Sequence, residues 1–151
     1  MLRTRPAQLS PSPFPANKED ATPDEIFVAD GWYKTWKASK YAGTNQANCV
    51  FHDTLNTIRA LANRGMQIYI LEGTTVDTLV GFIAFEIRHD NRYVLHYVYV
   101  KEMLRNRGFG KKLMGLIVTR GLFYTHRTPD SKLLGLGNVG HEPKFARRKN
   151  L

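Results

Sequence analysis

The segment Arg105-Asn106-Arg107-Gly108-Phe109-Gly110-Lys111-Lys112 limits the folds open to this chain more than any other. It follows an apolar run, Tyr93-Val94-Leu95-His96-Tyr97-Val98-Tyr99-Val100, and opens an amphipathic stretch, Leu113 to Arg120. That order reads strand, glycine-rich loop, helix. The N–H groups of such a loop and of the first helical turn form a site for a phosphorylated ligand. Gly108 and Gly110 let the backbone approach an anion because no Cβ stands in the way. Arg105, Arg107, Lys111 and Lys112 surround it with positive charge. The dinucleotide fingerprint G-x-G-x-x-G and the Walker loop G-x-x-x-x-G-K-[ST] both fail to fit, whereas R-x-x-G-x-G does, with Arg105, Gly108 and Gly110. The plainer alternative is a glycine turn with solvated cations.

The rest of the chain supplies elements around this unit. Residues 1–21 carry Pro6, Pro11, Pro13 and Pro15 and read as an extended arm. Thr22-Pro23-Asp24-Glu25 reads as a helix start, with Thr22 the cap, Pro23 in the first turn and Glu25 closing a capping box. Ile26, Ala29, Tyr33 and Trp36 recur at helical spacing, widened by Phe27 and Trp32, and read as a core face. A loop at Ser39–Asn45 leads to a second helix over Asn48–Arg64, with Phe51, Leu55, Ile58, Leu61 and Ala62 inward and Gly65 as the stop. Strands are predicted at Met66–Glu72, Thr78–Arg88 and Arg92–Lys101. The short turns between them, Gly73-Thr74-Thr75 and His89-Asp90-Asn91, make an antiparallel meander. A helix over Gly108–Arg120, ended by Gly121, then feeds a strand at Leu122–His126. A right-handed crossover places that strand parallel to the one at 92–101. The fold class is α+β on a mixed sheet. The domain runs from 22 to 128, between the arm and an irregular basic tail at 129–151.

The loop resembles the pyrophosphate-binding loop of the GCN5-related N-acetyltransferase (GNAT) superfamily, which holds acyl-coenzyme A. A valine five residues before the arginine is usual there, and Val100 is in that place. The element order is also similar. The resemblance implies a fourth and fifth strand that splay apart, so that the pantetheine arm pairs with the open edge of the fourth like an extra strand. Shorter pieces resemble small acetyltransferase-like proteins of tailed bacteriophages: Trp32 with Ser39-Lys40-Tyr41-Ala42-Gly43, then Leu95 to Lys101, then Thr125-His126-Arg127-Thr128, and Pro143. One departure concerns the C-terminal part. Family members usually add a helix after the fifth strand, often with a tyrosine that protonates the departing thiolate, and then a final strand. Here Pro129 to Leu151 holds Gly135, Gly137, Gly140 and Pro143 and reads as truncated, which leaves Tyr124 as the nearest counterpart.

A length of 151 residues suits one domain that buries roughly two thirds of its unfolded surface. No apolar run approaches the ~20 residues of a membrane span. Met1 to Asp20 has no apolar core, so no signal peptide is expected. Cys49 is the only cysteine, which leaves no intrachain disulfide and points to a cytoplasmic location, the host cytoplasm for a phage-encoded protein, or a virion. Cys49 itself reads as helix packing. The net charge of +9 fits coenzyme A, whose phosphates are polyanionic, and leaves nucleic acid open as a partner, although no zinc-finger spacing or RNA-recognition signature accompanies it. Arg147-Arg148-Lys149 reads as a solvated tail.

Acetyl transfer to an amine needs a base to remove a proton from the ammonium, an N–H donor for the developing oxyanion, and positioning of two substrates. By the resemblance, the backbone of Val98 and Val100 binds the acetyl carbonyl and the pantetheine. The loop Arg105, Asn106, Arg107, Gly108, Phe109, Gly110 and Lys111 binds the pyrophosphate, with Lys101 and Lys112 screening the remaining charge. His96 is the first candidate base. A period of two puts it on the face of Val98 and Val100, and an unperturbed imidazole titrates near ~6.5; the alternative is a strand histidine bonded to a neighbouring carbonyl. Glu86 on the adjacent strand and His126 across the splay are the other candidates, against roles as a paired carboxylate and a strand-end histidine. His52 and Asp53 lack metal-ligand spacing, and no metal is expected. The expected activity is N-acetyl transfer from acetyl-coenzyme A to an amine. The alternative is a catalytically silent adaptor, a phage particle component that reaches a phage or host protein through the arm.

Overall fold

Thr22 starts helix α1 (Pro23–Lys37) as the sequence predicts. Its Oγ1 accepts from the Glu25 N–H at 3.1 Å, and the Glu25 carboxylate accepts from the Thr22 N–H at 2.9 Å. This reciprocal capping box satisfies two donors that the helix start leaves open. The computed structural model describes residues 2–10, 20–37, 47–74, 78–117, 122–124 and 140–141, with side chains left out at 35–37, 47–53, 124 and 140–141.

The buried face of α1 differs from the predicted one. Ile26 is 38% exposed, while Val28, Ala29 and Trp32 are buried together with Glu25. The helix is turned so that Gly31 meets the sheet; a Cβ there would lie 2.7 Å from the rings of Phe82 and Tyr99. Such close approach is open only to glycine, and hydrophobic spacing alone does not register it. Tyr33 is half-buried, and the Trp36 side chain lies outside the described residues. Glu25 is tied to Arg59 of α2 (Ala47–Asn63) by bonds of 2.7 and 3.2 Å. Helix α2 turns Leu55, Ile58 and Leu61 inward, as predicted, while Ala62 is half-buried. It ends at Gly65 with φ 120°, where Gly65 N–H bonds the Ala62 carbonyl and Met66 N–H the Leu61 carbonyl. These two bonds are the Schellman stop that a glycine in this place permits.

Among the described residues six strands form one sheet in chain order: β1 (Leu2–Pro6), β2 (Gln67–Gly73), β3 (Leu79–Ile87), β4 (Tyr93–Val100), β5 (Phe123–Tyr124) and β6 (Gly140–His141). The predicted meander is β2–β3–β4, antiparallel throughout. The predicted crossover places β5 parallel to β4, with Val94 opposite Phe123 and Leu95 opposite Tyr124.

Both ends of the domain differ from expectation. Residues 2–6 are not a separate arm but a strand, antiparallel to β2 from Leu2↔Gly73 to Pro6↔Tyr69. Arg5 explains the attachment: it forms a two-pronged pair with Asp24 at the start of α1 and reaches Glu72 on β2 at 3.0 Å. Prolines mark an extended segment without indicating what it lies against, and here the sheet edge supplies the partner. In the segment read as an irregular tail, Gly140–His141 pairs parallel with β5.

Helices lie on both faces. α1 and α2 cover one, over Ile68, Ile70, Phe82, Ala84, Tyr97 and Tyr99. The short helix α3 (Phe109–Met114) covers the other, with Leu113, Met114 and Ile117 against Ile83, Phe85, Leu95 and Val100. α3 is shorter than the predicted Gly108–Arg120. A turn follows it to Ile117, and residues 118–121 lie outside the described residues. No helix among the described residues is long and apolar enough to cross a membrane.

Candidate functional site

The site is organised by an irregularity in β4. Ala84 faces Tyr97 and Phe85 faces Leu95, so His96 is an extra residue with no opposite number on β3. A bulge of this kind puts two successive side chains on one side of the sheet. His96 and Tyr97 both turn to the α1 face, where the Trp32 ring lies 6.1 Å from the imidazole and 4.2 Å from the phenol ring. This overturns the placement of His96 on the face of Val98 and Val100. Strict alternation fails at an inserted residue, and nothing in the period of the sequence reveals the insertion. Val98 and Val100 pack on the opposite side, in the cluster with Leu113.

The bulge also orients the strand's peptide groups. Lys101 N–H bonds the Val80 carbonyl at 2.9 Å. By the alternation of an antiparallel ladder, Tyr99 then faces β3, while Val98 and Val100 turn their N–H and C=O to the other edge. The described pairing of that edge with β5 ends at Leu95↔Tyr124. The sequence-predicted splay further along falls on residues 125–128, outside the described residues.

Beyond Val100 the chain makes one 3₁₀ turn, Glu102–Leu104, and enters the predicted loop. Asn106 (φ 64°) and Gly108 (φ 82°) are both left-handed. Glycine takes that conformation without strain, and asparagine is among the few side chains that visit it routinely. Gly108 is the N-cap of α3, and its carbonyl accepts the Lys112 N–H at 3.0 Å. Arg105, Asn106, Arg107, Lys111 and Lys112 are exposed, and Phe109 and Gly110 half-buried. Four cations thus share one short surface segment. Lys101 is not among them: it turns to the α1 face, its Nζ 5.6 Å from the Phe27 ring centroid.

The candidate base and its neighbour do meet. His96 Nε2 lies 2.7 Å from Glu86 Oε2, and Arg64 closes the group with two bonds of 2.8 Å to the same carboxylate. All three side chains are at most 10% exposed. Burial pushes Glu86 up, but hydrogen bonds from His96 and Arg64, with their charge, outweigh it and bring the carboxyl down to about 2. Burial pushes His96 below its ordinary value of 6.5 against the opposing pull of Glu86. The group at neutral pH is therefore an ionised Glu86 that accepts Nε2–H from a neutral His96, which leaves Nδ1 as the ring's acceptor. Glu86, saturated by two donors and strongly acidic, cannot itself hold a substrate proton near neutral pH. Its geometry suits orientation of the imidazole. Sequence reasoning missed Arg64 and Trp32 as members of this group; the only signal was an arginine in the last turn before the Gly65 stop.

His126 and the side chain of Tyr124 lie outside the described residues, as do the side chains of Cys49, His52 and Asp53. Among the described residues no three His, Cys, Asp or Glu side chains are grouped to hold a metal.

The family model described as the acetyltransferase (GNAT) family matches residues 29–122, from α1 to the start of β5. A search of curated proteins finds no match. Among solved structures, the chain is similar to a ribosomal-protein-alanine N-acetyltransferase from Brucella melitensis, at 14% identity and TM-score 0.60 over 94% of both chains. It is similar to a possible acetyltransferase from Clostridium difficile at 16% identity and TM-score 0.59, over 93% of this chain and 92% of that one. An acetyltransferase from Trypanosoma brucei gives 16% identity and TM-score 0.50 over 94% and 95%. At these identities the likeness is one of fold.

Proposed function

The chain belongs to the acetyltransferase (GNAT) family, and on that premise we propose that it transfers an acetyl group from acetyl-coenzyme A to an amine. One observation carries the reading. A bulged strand turns the peptide groups of Val98 and Val100 to the edge away from β3, and that strand runs straight into a cationic loop with two left-handed residues. The pantetheine lies along that edge, and the Val98 N–H faces the thioester oxygen. The pyrophosphate rests on the loop 105–111, within reach of the exposed Arg107, Lys111 and Lys112.

In the transfer, the amine must first lose a proton, because an ammonium has no lone pair. His96, whose side chain is fully enclosed, takes it at Nδ1 through a bridging water rather than by direct contact, held in the required tautomer by Glu86, which Arg64 keeps ionised. The amine then adds to the thioester carbon, and its carbonyl oxygen gains charge against the Val98 N–H. Collapse breaks the carbon–sulfur bond, the second proton of the amine nitrogen passes to the departing thiolate, and coenzyme A leaves as the thiol beside the neutral amide. The adaptor alternative rests on the C-terminal helix missing from the sequence pattern, the proline-rich arm and the basic tail; of these, residues 2–6 of the arm are part of the sheet.

Calorimetry with acetyl-coenzyme A tests the reading first. Saturable binding is expected, and its absence up to the millimolar range would sink the proposal. Release of free thiol on addition of a panel of aminoglycosides, polyamines, lysine peptides and peptide N-termini then identifies the acceptor class.

A further inference from the structure

In the sequence Arg105 is one cation among four. The geometry sets it apart from the others. Its Nε donates to the Val100 carbonyl at 2.9 Å, and its guanidinium carbon stands 5.8 Å from the centroid of the Tyr99 ring. The Val100 carbonyl is the one that the ladder alternation turns away from β3. The side chain thus bridges the last residue of β4 to the first residue of the loop, across the 3₁₀ turn Glu102–Leu104. Immediately after it, Asn106 takes φ 64°, so the chain turns into the loop directly behind this bond.

We propose that Arg105 is a positioning residue: it latches the glycine loop to the end of β4 through Nε, and its charge is not what the bound anion needs from it. This rests on the acetyl-coenzyme A reading for its consequence, though the latch exists without ligand. A loop fixed to the strand that carries the pantetheine keeps the pyrophosphate site and the thioester site in one register. Preorganisation of this kind improves affinity without a direct contact.

The chemistry of three side chains separates latch from charge. Glutamine places an N–H donor four atoms along the side chain from Cα, at the position of the arginine Nε, and carries no charge. Lysine carries the charge but has a methylene at that position. Methionine has neither a charge nor a donor. Calorimetry with coenzyme A on the full chain is compared for Arg105→Gln, Arg105→Lys and Arg105→Met, with amide hydrogen exchange of residues 101–110 measured without ligand. The latch predicts that glutamine stays within about threefold of the parent Kd. Lysine and methionine should both weaken binding by about tenfold, the worth of one hydrogen bond to a neutral carbonyl. It also predicts faster exchange of the loop in the lysine and methionine proteins alone. Retained affinity with lysine and loss with glutamine would assign Arg105 to the anion and overturn the latch, as would equal affinities in all four proteins. If the parent itself binds no coenzyme A, the functional reading fails. The exchange result then decides the latch by itself: the lysine/methionine pattern supports it, and unaltered exchange in every variant overturns it.

Discussion

The two faces of the sheet handle charge in opposite ways. Under α1 and α2, charged groups are buried and matched: Glu25 with Arg59, and Glu86 with both Arg64 and His96. Over the other face the core beneath α3 is apolar, and the cations of its loop stand in solvent. A buried charge is tolerated only with a partner, so the first face is closed to a new polyanion. Exposed cations and left-handed backbone on the second face cost the fold little and remain available to a ligand. β4 serves both, because the bulge at His96 gives its first half a side chain on the closed face while Val98 and Val100 keep to the other.

The strongest way to break this contrast is to strand a buried charge. Glu25→Ala leaves Arg59 enclosed and removes the capping box, and a loss of about 4 kcal/mol in urea unfolding is expected. A loss below ~1 kcal/mol would mean that the helix face is far wetter than described. Acid should act on the same face. Glu86 is lowered from 4.5 to about 2, so its stabilisation is complete above pH 4.5 and disappears as pH falls toward 2, about 3 kcal/mol in all. His96 is lowered below 6.5, so the folded state resists its protonation and stability begins to fall as pH drops below that value. Urea midpoints measured from pH 8 to pH 3 should show both steps, and His96→Asn should lose the upper one.

Two substitutions then separate chemistry from binding. His96→Ala should cut turnover by roughly a hundredfold or more, the range for losing a general base, with the coenzyme A Kd little changed. Gly110→Asp should do the reverse. It places a carboxylate beside the phosphates and raises Kd by on the order of a hundredfold, with the melting temperature nearly that of the parent. A Gly110→Asp protein that binds coenzyme A normally would remove the loop from the site. The smallest effect is expected on the outer side of α1, where Lys34 and Asp30 pair at 2.9 Å in solvent. Lys34→Ala should change stability by only about 0.4 kcal/mol, and a loss several times larger would blur the line between matched burial and exposed pairing.

Much of this architecture was legible in the residues because its signals are local. The Thr22–Glu25 capping box, the Gly65 stop and the three meander strands follow from spacing within a dozen residues or so, and the parallel return of β5 from the fixed hand of a single crossover. So does the loop, whose glycines and cations are adjacent in sequence. The turned face of α1 was not legible, because it depends on Gly31 meeting rings that lie about fifty to seventy residues away. The attachment of residues 2–6 was not legible either: Arg5 finds Asp24 and Glu72, and neither pairing leaves a mark in a local pattern.

The sequence by itself determined the order of elements and the existence of a cationic glycine loop after an apolar strand, since both arise from short-range backbone preference and hydrophobic period. Only the tertiary structure decided which face His96 occupies, that Arg64 completes its group with Glu86, and that Arg105 reaches back to Val100. Each of these depends on one inserted residue or one long side chain bridging separate segments, and a periodic pattern carries no information about either.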